Sequence, residues 1–162
     1  MNTISKFLIG EGFDIHKLVK VKNNFMILAD TKIKSDYKIK AHSDGDLVMH
    51  AIANSVLGGI AKGDIGIYFP DNNNKCKNID SSLILLFAIS QLPKGYKINN
   101  IDLTVICDKV KLSNYREQMT DNLINLTKCK NINVKFTRFE QDKMLIACRC
   151  VTSIIKKQWD YE

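Results

Sequence analysis

Residues 44–60, DGDLVMHAIANSVLGGI, decide how the chain is built. Leu47, Val48, Ala51, Ile52, Val56 and Leu57 recur there at helical spacing, the pattern of a helix that buries one stripe against a core. Ser43 with Asp46 three residues later has the shape of a capping box, and Gly58-Gly59 supplies a stop. Upstream, residues 7–9 and 25–28 read as strands, and 30–40 as a polar connection or a hairpin. Downstream, the Gly, Pro and Asn content of 63–74 reads as a loop. A second helix is expected over 82–92, capped by Asp80 or Ser81 and ended by Pro93 and Gly95. Residues 101–107 read as a strand, 115–128 as a helix and 132–140 as a strand that alternates through Val134 and Phe136. A closing helix is expected over 144–159. Strands separated by helices predict a helix-layered sheet, α/β or α+β.

The 162 residues suit one domain spanning 1–162, with no internal repeat or linker to divide it. A composition 45% hydrophobic and 25% charged is too apolar for a disordered chain. No apolar run reaches the roughly 18–20 residues that cross a bilayer, and the first ten residues lack the pattern of a secretion signal. No membrane partner is expected. The net charge of +7 comes from 21 Lys and 3 Arg spread along the chain. This does not form the basic, Arg-rich and aromatic surface of a nucleic-acid binder, and suits an anionic small-molecule substrate better. Cys76, Cys107, Cys129, Cys148 and Cys150 are odd in number and form no C-x-x-C pair. A reducing compartment therefore fits better than a disulfide framework. Cys148 and Cys150, two apart on the expected closing helix, read as core or surface thiols.

All three histidines, His16, His42 and His50, fall in the first third of the chain beside carboxylates. If Asp14-Ile15-His16 is extended, its two polar side chains share a face. His50 lies one helical turn after Asp46. A strand end giving Asp14 and His16, with a helix giving His50, would supply three ligands and leave a fourth position open, the pattern of a catalytic zinc site. The same residues also read as a surface pair, a helix-entry turn at Asp44-Gly45-Asp46 and a solvated Asp46–His50 contact. Gly63-Asp64-Ile65-Gly66 is either a plain turn or a loop whose N–H groups approach a polyol or phosphate. Residues 135–140 are either an ordinary edge strand or one that gathers basic, hydroxyl and acidic groups.

Taken together, Gly12-Phe13-Asp14-Ile15-His16, then Ala41-His42-Ser43-Asp44-Gly45-Asp46 with His50, then Gly63-Asp64-Ile65-Gly66 and Phe69-Pro70-Asp71, occur in an order and spacing that resembles the 2-C-methyl-D-erythritol 2,4-cyclodiphosphate synthase family. The resemblance implies an α+β single domain, a mixed sheet covered by helices on one face, bacillus-chorismate-mutase-like, assembling as a homotrimer with sites between subunits. It implies a lyase of the non-mevalonate isoprenoid pathway that cyclises 4-diphosphocytidyl-2-C-methyl-D-erythritol 2-phosphate and releases CMP. By the same resemblance Asp14, His16 and His50 bind Zn2+, and Glu140 binds a second ion, Mg2+ or Mn2+. His42 is the catalytic group steadying the transition state. Substrate contacts fall to Asp14, Ile15, His16, His42, Ser43, Asp64, Ile65, Gly66, Phe69, Pro70, Asp71, Asn72, Asn73, Cys107, Lys111, Thr137, Arg138 and Glu140. Asp46 is expected behind the ligands, orienting a histidine ring.

Arg138, Phe139 and Val110 depart from the family's usual residues, and the stretch between Glu140 and Ile146 is shorter than the family's glycine-rich segment. Arg138 or Lys143 stands in for the arginine missing there. This shortening supports an alternative reading, a weakened zinc-bearing trimeric relative that binds diphosphates or isoprenoid diphosphates without turnover. The expected location is cytoplasmic in a bacterium, or a plastid-type organelle in a eukaryote after removal of a leader.

Overall fold

The alternation that opens the chain runs further than its two apolar patches suggest. In the computed structural model, which describes residues 6–41, 43–70, 72 and 78–157, one long strand, β1 (Phe7–Leu28), contains both strands expected at its ends. A register shift between Lys20 and Asn24 sets Val21, Lys22 and Asn23 opposite the single Asp36, a bulge within the otherwise paired strand. β2 (Thr31–Lys40) returns antiparallel, so the 30–40 segment is the hairpin of the two options. Leu28 pairs with Thr31, which leaves Ala29 and Asp30 as a two-residue turn, both with positive φ (50° and 54°). Neither is glycine, and the turn is held from outside. The Asp46 carboxylate accepts both N–H groups, and Asn122 Nδ2 donates to both carbonyls.

The decisive helix, α1 (Leu47–Gly59), is capped by Asp46, which accepts the Met49 N–H. The capping box expected from Ser43 does not form, because the Ser43 hydroxyl is engaged by the Gly45 N–H at 3.1 Å. Within the expected 63–74 loop lies one helical turn, α2 (Ile65–Tyr68), capped by Asp64. A single turn is too short to show a helical period. α3 (Ser81–Ser90) is capped by Asp80. β3 (Tyr96–Cys107) precedes a 3-10 turn at Ser113–Tyr115, then α4 (Arg116–Thr127), β4 (Ile132–Thr137) and β5 (Leu145–Lys156). β4 stops at Thr137, so Glu140 lies in the following turn rather than on the strand, with φ +60°.

β5 corrects the expected closing helix. Ile146, Cys148, Cys150, Thr152 and Ile154 are all fully buried. That is a period of two, and the β-branched residues of 151–155 favour the pleated conformation. Cys148 and Cys150 therefore share the core face. Trp159, the last residue expected in that helix, lies outside the described residues.

The five strands run in the order β2-β1-β5-β3-β4, antiparallel except for β3 with β4, which makes the sheet mixed. The helices bury one face, with Leu47, Ile52, Leu57, Leu85, Leu103 and Ile154 at the centre of the core. The α+β sheet with helices on one face is as expected. On its other face Ile9, Phe13, Ile15 and Val151 stay exposed. No helix among the described residues is long and apolar enough to cross a membrane.

Candidate metal centre

Two glycines set the depth at which α1 lies on the sheet. A Cβ on Gly12 would come within 2.0 Å of the Ala51 carbonyl oxygen, and one on Gly10 within 1.7 Å of that of Ser55. With no side chains there, the helix rests directly on the β1 backbone, and the turn before Ala51 brings His50 over Asp14. Asp14 and His16 alternate onto the same helix-facing side of the strand.

The three side chains converge. Asp14 Oδ2 lies 3.1 Å from His50 Nδ1 and 3.2 Å from His16 Nε2, while Asp14 Oδ1 accepts the Ile15 N–H at 2.8 Å. The ligand atoms of all three residues fall within 4.8 Å of one another, and His50 is buried. Among the described residues no other cluster of this kind occurs. Burial pushes the Asp14 carboxyl up, but hydrogen bonds and charge from His16 and His50 outweigh it and hold the group well below the usual carboxylate range. One ionised carboxylate and two imidazoles form a donor set suited to a divalent cation of the zinc type, with room for a further ligand.

The residue expected to orient the ring does something else. The Asp46 carboxylate takes the N–H groups of Ala29, Asp30 and Met49, and burial pushes it up to about 6 against those three donors. Its link to His50 is the backbone bond from His50 N to Asp46 O. The far side of the His50 ring instead meets Ser81: Ser81 Oγ lies 2.9 Å from Nε2. Ser81 is tied to Asp44, its hydroxyl donating to Oδ1 and its N–H to Oδ2. Spacing could not reveal this pair, because Ser81 comes from the start of α3. The only signal was that 80–81 begins a helix and 44–46 begins another.

The other expected residues cluster at the same end of the sheet. Register aligns Asp14 with Cys148, Val105 and Phe136 across four strands, and His16 with Ile146 and Cys107. Cys107 thus stands two strand spacings from His16, and Thr137 three from Ile15, or about 14 Å. Thr137, Arg138, Glu140 and Lys111 are exposed there. Asp64, Ile65 and Gly66 form the start of α2, and the Ile65 N–H is held at 2.9 Å by Asn54, one helical turn beyond His50. Phe69 packs edge-on to Phe87, with Pro70 after it; Asn72 is exposed. Ser43 lies at the entry to α1. His42, Asp71 and Asn73 lie outside the described residues.

The short stretch after Glu140 is an ordered turn. Asp108 accepts the N–H groups of Phe139 and Lys143 at 2.8 Å each, and Lys109 pairs with Asp142. Desolvation pushes the Asp108 carboxyl up, but these backbone donors, with those of Glu140 and Gln141, hold it below its ordinary value. Asp108 was not singled out in the sequence; an acid just past a strand end is too common to stand out.

An α+β sheet whose strand–helix junction gathers a carboxylate and two imidazoles is an enzyme-like domain with a candidate metal site. Residues 7–155 match the YgbB family, and the chain belongs to it. It is 39% identical over 144 residues to the 2-C-methyl-D-erythritol 2,4-cyclodiphosphate synthase of Mycoplasmoides gallisepticum, covering 88% of this chain and 93% of that protein. The bifunctional IspDF of Campylobacter jejuni superposes with a TM-score of 0.86 at 30% identity over 94% of this chain, which spans 43% of that protein. The Plasmodium falciparum IspF in complex with CDP superposes with a TM-score of 0.82 at 30% identity, over 96% of this chain and all of the other.

Proposed function

We infer that the chain is a 2-C-methyl-D-erythritol 2,4-cyclodiphosphate synthase, a phosphorus–oxygen lyase acting in the non-mevalonate isoprenoid pathway. Its substrate is 4-diphosphocytidyl-2-C-methyl-D-erythritol 2-phosphate, whose 2-phosphate oxygen attacks the β-phosphorus, forms the cyclic diphosphate and expels CMP. The observation that carries the reading is the convergence of His16 Nε2 and His50 Nδ1 on one Asp14 oxygen, in a YgbB-family chain whose relatives carry that activity in their names.

Nucleophile and electrophile are both anionic, so the barrier is mainly repulsion, positioning and developing charge. Asp14, His16 and His50 would hold a divalent cation, with Zn2+ best suited to the donor set. Such an ion supplies Lewis-acid polarisation and charge neutralisation at phosphate oxygens. In this reading His42 and Ser43 hold the erythritol phosphate and His42 steadies the transition state. Asp64, Ile65 and Gly66, continuing through Phe69–Asn73, shape the pocket for the methylerythritol carbons. Cys107 and Lys111 enclose the cytosine, and Thr137, Arg138 and Glu140 contact the diphosphate, with Glu140 holding Mg2+ or Mn2+. The three strand spacings between β1, which carries Asp14, and β4, which carries Thr137, support a site completed by a neighbouring subunit of a trimer, and the exposed apolar sheet face supplies a surface for it.

The test is CMP release from the cytidyl substrate with and without chelator. Turnover that stops on chelation and returns with Zn2+ and Mg2+ is expected. Binding of the diphosphate with no CMP formed under any metal would replace this reading with that of a non-catalytic relative.

A further inference from the structure

We propose that Ser81, aimed by Asp44, is the positioning residue that keeps the His50 ring proton on Nε2 and so directs Nδ1 to the cation. The inference rests on the metal reading above and adds to it a device drawn from a different helix.

The hydroxyl of Ser81 has one proton and two neighbours. Asp44 Oδ1 is in contact on one side and His50 Nε2 lies 2.9 Å away on the other. A carboxylate accepts and does not donate, so the hydroxyl proton goes to Asp44. The Ser81 N–H binds the second Asp44 oxygen at 2.9 Å, which fixes the carboxylate in a two-point grip. What Ser81 then presents to the imidazole is a lone pair, and Nε2 must donate to it. Ser81 is fully buried and His50 nearly so. A mispaired Nε2 there would leave two acceptors facing each other away from water.

With Nε2 committed as donor to Ser81, Nδ1 is the nitrogen left to ligate: it lies 3.1 Å from Asp14 Oδ2 on the side shared with His16, and a cation entering there takes the place of the proton that Nδ1 and Asp14 share without it. A ring with the opposite tautomer would point an N–H into the place where a cation must sit. Ser81 and Asp44 thus choose which nitrogen keeps its proton when a cation binds, and they fix the ring plane through the α1–α3 contact.

Three variants test this: Ser81→Ala, Ser81→Thr and Asp44→Asn. Two readouts are used, Zn2+ affinity by competition with a chelating dye and, in the zinc-loaded protein, the chemical shift and solvent exchange of the His50 Nε2 proton. Ser81→Ala should weaken Zn2+ binding 10–100-fold, and it should move the Nε2 proton signal upfield and speed its exchange, because the ring N–H loses its acceptor. Ser81→Thr should restore both. Asp44→Asn should act in the same direction but more weakly, because the amide keeps one acceptor oxygen for the Ser81 hydroxyl and loses the one that takes the Ser81 N–H; it decides the matter should Ser81→Ala fail to fold by circular dichroism. An unmoved Nε2 proton signal and unchanged affinity in the folded variants overturn the proposal and leave the metal reading standing. Wild-type protein that takes up no zinc overturns the metal reading, and the ligand-directing role with it.

Discussion

Asp14 is pulled two ways. Burial favours the neutral acid, and two imidazoles on its outer oxygen hold it ionised. Removing that charge leaves two imidazoles without the anion that completes the donor set. Asp14→Ala should therefore lose the metal, from about one zinc per chain to nearly none after dialysis, with CMP release falling in parallel. Elemental analysis decides it, and a variant that keeps its zinc would remove Asp14 from the ligand set. The buried thiols behave oppositely, since burial is the largest effect on them and nothing outweighs it. Cys150 is pushed up to about 12, and Cys148 is raised for the same first reason. These two, with buried Cys107 and Cys129, should react with a thiol-specific disulfide reagent only once denaturant is added. Rapid labelling of any of these four in native buffer, located by peptide mapping, would contradict that packing. At this scale the D-x-H pair and His50 were legible, because strand alternation and helical spacing are properties of short segments. Ser81 was not legible, because its meaning depends on a contact between two helices. Asp46 misled: four residues before His50 it has the spacing of a ring partner, but a helix N-cap turns its carboxylate toward the backbone of the hairpin.

Elements fail when their contacts are misjudged in depth, and Gly12 is the clearest case. Alanine there meets the Ala51 carbonyl oxygen at 2.0 Å, and that atom is helix backbone that cannot rotate away. Gly12→Ala should cost about 1–3 kcal/mol or more, seen as a lowered melting temperature, and should weaken zinc binding by lifting His50 from Asp14. Gly58→Ala is the control. Its nearest neighbour would be 3.6 Å away, so it should be neutral or slightly stabilising through helix propensity. Equal effects from the two would refute this account of α1. Asp46→Ala removes the cap of α1 and both outside bonds to the Ala29–Asp30 turn, a loss of about 2 kcal/mol or more in urea unfolding. Element reading from sequence succeeded where a stripe was long, as in α1 and α4. It failed at β5, where Cys and Ala between Ile146 and Val151 give no β-branched signal, and buried Ala147 breaks the alternation.

The whole molecule leaves one large question of geometry: a candidate metal centre within a single chain, with the segments proposed for the cytosine and the diphosphate two and three strands away. Asp14, His16 and His50 come from β1 and α1, so cation binding needs no partner. The segments at Cys107–Lys111 and Thr137–Glu140 lie on the far side of β5 from β1, and one chain cannot fold them back over its own Asp14 without breaking the register of the sheet. Catalysis and metal binding should therefore separate when subunits are separated. Ile9, 61% exposed on the uncovered face, is the place to do it. A charge there would have to be desolvated for a neighbour to pack, at a cost no apolar contact offsets. Ile9→Glu should shift the mass in light scattering from three chains to one, keep the far-ultraviolet spectrum and about one zinc per chain, and abolish CMP release. A monomer that still turns over would place the whole reaction within one subunit. A monomer that loses its zinc would mean that the centre is held open by the assembly rather than by Gly10, Gly12 and the helix resting on them.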